Sequence, residues 1–299
     1  MLILKHLRHF LKGIERMTAL FEQFLKERTY IKNVSKNTLI FYRASFKAYQ
    51  KIIGSATVPT KQDLNNFVIG LRENGFKPVT CNTYIRGMNS FLTWLHENEH
   101  TAEHLKIKQL KCEQRVIQTF SNAELQRIIS FKPKGFYQQR IYTLVLLAID
   151  TGCRINELLT LTRKKIDFEN LLMTVRGKGN KERTIPISVE ARKHLYKWLK
   201  NHPFDLVFCA KNGLRLLYDN CRRDYQKFLK KVGVEKCDQS FHALRRLFAE
   251  QYVRNGGNLF YLMTVMGHND IKTTKHYVRV DTEALQETHS KTSILSRIR

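Results

Sequence analysis

In "SFHALRRLFAEQYVRNGG", residues 240–257, His242 and Arg245 stand three apart. On a helix that spacing gives them one face, with Cβ atoms about 5–6 Å apart. Such a pair suits a phosphate: the guanidinium clamps two oxygens while the imidazole donates or exchanges a proton. Taken alone, H-x-x-R arises by chance, and a helical histidine is more often ordinary surface or core. Arg154, in "DTGCRINELLTL", follows a glycine break, where a side chain is aimed into a cleft, and Glu157 three residues on can hold it. The competing meaning is a surface ion pair at a helix start. Lys178, in "RGKGNKERTIP", sits between two glycines that let a turn approach a nucleic-acid backbone and bring an amine to a leaving oxygen. A solvated turn lysine is the commoner meaning, and Lys181 competes for the role. Near the C-terminus, "MGHNDIKTTKHYVRV" (266–280) adds His268 and Tyr277. Arginines, a lysine, histidines and a tyrosine on four basic segments are the parts of a phosphodiester transesterification.

The elements that must position these residues follow from apolar spacing. Residues 17–100 repeat apolar positions at three and four in four segments, which predicts a four-helix domain over 17–104. Ser35 and Thr60 are expected N-caps, the latter with Asp63 three residues on, and Asn74–Gly75 is an expected helix stop. Residues 1–16 are read as a basic extension or as the consequence of a start codon upstream of Met17. The apolar period fades over 105–119, the expected linker. Residues 120–299 then form the second domain: Ser121 and Glu124 offer a capping box, 141–152 is a nearly all-apolar helix closed by Gly152, and 171–176 with 182–188 read as a β-hairpin with Lys178 at its tip. Helical patterns resume at 189–201, 217–232, 240–255, 258–267 and 270–279, followed by a C-terminal helical tail. The expected fold class is mainly α with a small β-sheet.

Charge narrows the partner. The 299 residues carry 52 Lys and Arg against 26 Asp and Glu, a formal net charge of +26. Residues 1–115 contribute +10 and residues 116–299 contribute +16. The basic residues are interleaved with aromatic and aliphatic ones, so the charge belongs to folded surfaces, as in a clamp on a polyanion, with nucleic acid the leading candidate. Solubility alone is served by far less. The six cysteines form no C-x-x-C pair, which fits a reduced cytosol. No apolar run reaches the ~18 residues of a membrane span, and Lys5, Arg8 and Lys12 interrupt any leader-like segment.

Taken in order, "TGCRINELL", "GKGNKERTIPI", "HALRR", "MGHND" and "HYVRV" resemble the ordered pattern of the tyrosine recombinases, the integrase family that includes the lambda-type integrases and the Xer recombinases. The five elements cover residues 121–280, and "SKNTLIFYRASFKAY" with "TYIRGMNSFLTWLHE" extends the likeness to residues 17–290. The resemblance implies an N-terminal helical core-binding (SAM-like) domain and a C-terminal α+β catalytic domain, a simple two-domain recombinase without an arm-binding domain. It implies that Tyr277 attacks the scissile phosphate to form a 3′-phosphotyrosyl link. Arg154 and Arg245 would stabilise the phosphorane-like transition state, Lys178 would protonate the departing 5′ oxygen, His242 would act as acid and base towards the tyrosine, and His268 would bond a phosphate oxygen. A free tyrosine has a pKa near 10, so the positive field is needed to activate it. No metal or other cofactor is implied. The implied partners are duplex DNA with inverted half-sites, three further copies of this chain in a tetramer on DNA, and an accessory recombinase or DNA-bending protein. The implied location is the cytoplasm. His276 points about 100° away from Tyr277 on a helix and is left without a role.

Three other readings compete. "HENEH", residues 96–100, matches the zinc-protease pattern H-E-x-x-H, and His104 continues the spacing, but the motif closes a basic helix that runs into the linker. A type IB topoisomerase shares the chemistry and reseals the same strand. A non-catalytic DNA-binding module would show a broken residue set, whereas here every position is filled.

Overall fold

Ser35, Thr60 and Ser121 each end an extended stretch and start a helix, because their hydroxyls accept from the backbone N–H three residues on. Asp63 and Glu124 complete two reciprocal capping boxes. The computed structural model describes residues 2–54, 58–113, 120–200, 202–234 and 240–267, with four isolated positions nearer the C-terminus; the side chains of residues 2–15 and of Lys178 fall outside that description. His268, His276 and Tyr277 lie outside the described residues, as does the helix expected over 270–279.

The chain divides into two compact units, residues 1–115 and 116–299. In the first, α1 (Leu2–Tyr30), α2 (Lys36–Ile53), α3 (Lys61–Glu73) and α4 (Pro78–Glu97) surround an aromatic core. Phe21 stacks on Phe46 at 4.0 Å, and Phe91 meets Phe21 edge-on at 5.1 Å. The Trp94 indole N–H donates to Glu27 at 2.6 Å, which gives a buried ring a partner for its polar edge. No break falls at Met17, since one helix runs from Leu2 through it. Part of the expected linker is packed on this unit. Asn89 and Asn82, two turns apart on α4, each exchange a pair of bonds with one backbone residue, Ile107 and Leu110 respectively, all at 2.8–2.9 Å.

In the second unit, α5 (Asn122–Ile129) precedes α6 (Gly135–Thr151), which is apolar on nearly every side and is therefore buried. The short α7 (Ile155–Leu158) leads to an antiparallel sheet of β1 (Ile166–Asp167), β2 (Leu172–Arg176) and β3 (Glu182–Pro186) in that order. The register pairs Met173 with Ile185 and Arg176 with Glu182. After α8 (Val189–Lys200), α9 (Tyr218–Lys231) and α10 (Phe241–Arg254), the described chain closes with α11 (Leu259–Met266). Helices α8, α9 and α10 pack round α6, while α7 lies against β2 and α11 against β3. That brings the segments carrying Arg154, the hairpin and the chain leading to His268 to one place. The mainly helical class with a small sheet is the observed one.

Candidate active site

Gly152 ends α6 in the left-handed conformation (φ +62°), and Arg154 follows two residues later at the threshold of α7. A left-handed φ strains any residue with a Cβ, and one built on Gly152 would meet Phe248 Cδ1 at 2.3 Å. The turn therefore requires glycine, and it aims Arg154. The Arg154 backbone N–H donates to Glu157 Oε2 at 2.8 Å and its guanidinium to Oε1 at 3.0 Å. The same guanidinium reaches the carbonyls of Met266 and Gly267 at 3.4 Å. Its side chain stays 35% exposed, so it faces solvent as well as the protein.

Arg245 lies within α10 at 3% exposure and donates to the carbonyls of Gly152 and Met266, both at 2.6 Å. His242, expected to share its face, is exposed in the first turn of α10. Lys178 lies in the turn between β2 and β3, where Gly179 and Asn180 have positive φ; Lys181 follows and is exposed.

Arg183 on β3 was absent from the expected set. Its Nη1 and Nη2 make a two-pronged clamp on Glu157, each bond 2.8 Å, and its Nε donates to the carbonyl of Val265 at 2.8 Å. A signal for it was available. With Ile185 and Ile187 buried, the period of two turns Arg183 towards the core, and an arginine at an inward strand position requires an acid. Burial by itself would raise the Glu157 carboxyl, but the bonds from Arg183 and Arg154 outweigh it and hold it below the ordinary carboxylate range. Burial likewise opposes the charge on Arg183, and Glu157 more than restores it. Neighbouring Cys153 has a thiol pushed up to about 11, chiefly by burial, so it is an inert packing group.

Val265, Met266 and Gly267 offer the carbonyls that the end of α11 leaves without partners in the helix. Arginines from three different segments occupy them, and cations are favoured at that end of a helix. Three guanidiniums thus gather at the end of α11, just before His268 in the chain; two of them, from Arg154 and Arg183, pair with the buried Glu157 carboxylate, and Arg245 bonds carbonyls, leaving a local excess of positive charge.

Other groups are not drawn together. α4 stops at Glu97 and Glu99 has positive φ, so His100 leaves the helix and the H-E-x-x-H spacing does not put its histidines on one helical face. His96 instead stacks on His104 at 5.2 Å. Among the described residues no group of three or more His, Cys, Asp or Glu could hold a metal ion. A surface hollow of about 380 Å³ in the second unit is lined by Tyr137, Arg140, Lys211, Arg223 and Lys227, among others, and by none of the candidates.

The described architecture is a mainly helical scaffold with one hairpin sheet, on which inward-facing arginines from three segments meet at the end of α11. Residues 118–284 match the phage integrase family, and the chain belongs to that family, the tyrosine recombinases, which carry out site-specific recombination. It is 27% identical to the tyrosine recombinase XerA of Pyrococcus furiosus over 270 residues, 88% of this chain and 91% of the relative. It is 26% identical to the tyrosine recombinase XerD of Yersinia pestis over 293 residues, 91% and 96% of the two chains. In fold it is similar to the Tn1549 transposon integrase in complex with circular intermediate DNA, with TM-score 0.77, 19% identity and coverage of 91% and 98%. It is also similar to the XerH recombinase bound to difH substrate, with TM-score 0.69, 19% identity and coverage of 90% and 82%.

Proposed function

We propose that this chain cuts and rejoins duplex DNA with Tyr277 as nucleophile. The tyrosine oxygen bonds to the scissile phosphorus as the bond to the 5′ oxygen breaks; the phenolic proton passes to His242, and Lys178 delivers a proton to the departing oxygen. The products are a 3′-phosphotyrosyl ester and a free 5′-hydroxyl, and attack by another strand's 5′-hydroxyl reverses the step. Arg154 and Arg245 oppose the charge that builds on the non-bridging oxygens, and His268 bonds one of them. The observation that carries this reading is the gathering of Arg154, Arg183 and Arg245 on the carbonyls that end α11, next to His268 in the chain, with Arg154 and Arg183 also paired to Glu157.

Both basic units grip the DNA, residues 17–104 as the core-binding domain and 120–299 as the catalytic domain, joined by 105–119. Binding should therefore weaken steeply with salt as counterions are released. Two inverted half-sites bind one copy each, so two paired sites bring four copies together, and the segment after Tyr277 docks into a neighbouring subunit to form the tetramer. Deleting residues 282–299 should abolish the tetramer on half-site duplexes in gel filtration; an unchanged tetramer would count against the docking role. An accessory recombinase or a DNA-bending protein completes the assembly on its natural sites. Among the described residues no helix is long and apolar enough to cross a membrane, and the place of action is the cytoplasm.

The phosphodiester bond energy is kept in the phosphotyrosyl ester, so neither metal nor nucleotide is required. Cutting in excess EDTA without ATP should match cutting with magnesium. The probe is a duplex selected from a random-sequence pool by the wild-type protein and then nicked beside the cut position, so that the covalent adduct is trapped. Tyr277→Phe should bind this duplex and form no adduct. Adducts persisting in that variant would refute the assignment.

A further inference from the structure

Arg183 touches the residues that precede two of the proposed active-site groups. Its clamp on Glu157 fixes the carboxylate that holds both the backbone and the guanidinium of Arg154. A Cβ built on Gly177 would lie 3.2 Å from Arg183 Nη1 and 3.3 Å from Glu157 Oε1, so the backbone immediately before Lys178 rests against this pair. A Cβ built on Gly267 would likewise lie 3.2 Å from Arg183 Nη1 and 3.3 Å from its Cδ and Cζ, so the backbone immediately before His268 rests against the same side chain. The bond from Arg183 Nε to Val265 ties down the helix that leads there. The side chain is 14% exposed, so it is committed to these contacts.

We propose that Arg183 is a positioning residue: a wedge between β3, α7 and the end of α11 that sets Arg154, the Lys178 turn and the Gly267 backbone relative to one another without touching DNA. This rests on the strand-cutting reading above. Lysine cannot replace it, because an ammonium on a flexible stem does not reproduce a planar two-pronged clamp together with a third bond in another direction. A displacement of about 1 Å among groups that must act together slows a reaction about 100-fold.

The test uses the full chain and the nicked selected duplex, in its normal form and in a form whose departing 5′ oxygen is replaced by sulfur. In the sulfur form the P–S bond breaks and the thiolate leaves without a proton, so a misplaced Lys178 matters little. Arg183→Met and Arg183→Lys are compared with wild type at saturating protein. The expected result is adduct formation slowed about 100-fold on the oxygen duplex with binding retained, a deficit at least tenfold smaller on the sulfur duplex, and no recovery of the wild-type rate by lysine. Equal deficits on the two duplexes, or a wild-type rate in either variant, would overturn the proposal. Should Arg183→Met not fold, the lysine variant decides alone. Failure of wild type to form any adduct sinks the strand-cutting reading itself and this inference with it, and is told apart because wild type is the arm that fails.

Discussion

The two units treat buried polarity in opposite ways. Among the described residues, the buried polar side chains of the first unit are Ser45 and Asn82, neutral groups bonded to backbone. The second unit buries Arg140, Glu157 and Arg245. A neutral amide is satisfied by one peptide group at little cost, whereas a buried charge is tolerable only with a partner in good geometry. The first unit is thus held together by ring packing, and the second by guanidiniums that are buried with a carboxylate or backbone carbonyls as partners. Damage to the first should appear as lost stability, and damage to the second as lost chemistry too.

The largest effects should come from one truncation in each unit. Phe91→Ala removes a fully buried ring and should cost about 3–5 kcal/mol through the cavity it leaves. Glu157→Ala should cost a similar ~3–5 kcal/mol for the opposite reason, because it strands the charges of Arg183 and Arg154. Trp94 and Trp198 supply one fluorescent reporter per unit, and replacing either by Phe isolates the other. In urea unfolding, Phe91→Ala should shift the Trp94 transition and Glu157→Ala the Trp198 transition. The reverse assignment would break the comparison. Next in size, Arg154→Ala should slow adduct formation by about 10²–10³ with little change in binding, because its side chain is partly exposed and one guanidinium among three. An equal loss of binding and cutting would mean that Arg154 holds DNA rather than its reacting phosphate.

Gly152→Ala should come next, at about 1–3 kcal/mol for the left-handed φ, with a further loss because Phe248 must move. Its effect on cutting should exceed its effect on the Trp198 transition, since the Gly152 carbonyl accepts from Arg245 and the turn aims Arg154. A rate loss no greater than the stability loss would make Gly152 a fold residue only.

Much of this arrangement could be read from local chemistry. Capping pairs lie three residues apart, and both expected boxes formed. The all-apolar pattern of α6 and its closing glycine were equally local. The hairpin emerged because its strands are contiguous and joined by a glycine-flanked turn. What local pattern could not reveal is contact between distant segments. Glu157 was matched with Arg154 because they are three apart, while its second partner, Arg183, comes from 26 residues away across a sheet. The carbonyls of Val265 and Met266 have no side-chain signature at all. The docking of 107–110 on α4 was hidden for a related reason, because paired asparagines look like ordinary surface until their backbone partners are known. His100 shows the converse error: a sequence pattern at helical spacing means nothing once the helix has ended.

The smallest effect, and the finest test of the comparison, is acid. The Glu157 carboxyl is held below its ordinary value in the folded state, so the unfolded chain takes up the proton first as pH falls. Its contribution is therefore complete above the ordinary glutamate range near 4.3 and is lost as pH falls through the lower, folded value. The Trp198 transition should weaken over that window in wild type and lose this component in Glu157→Gln, which keeps the shape and removes the titration. The Trp94 transition should weaken less, because among the described residues the first unit has no buried carboxylate. If Glu157→Gln and wild type lose stability in parallel below pH ~4.3, the carboxylate is not held by its arginines in solution. The contrast between a packed unit and a charged one would then rest on geometry alone.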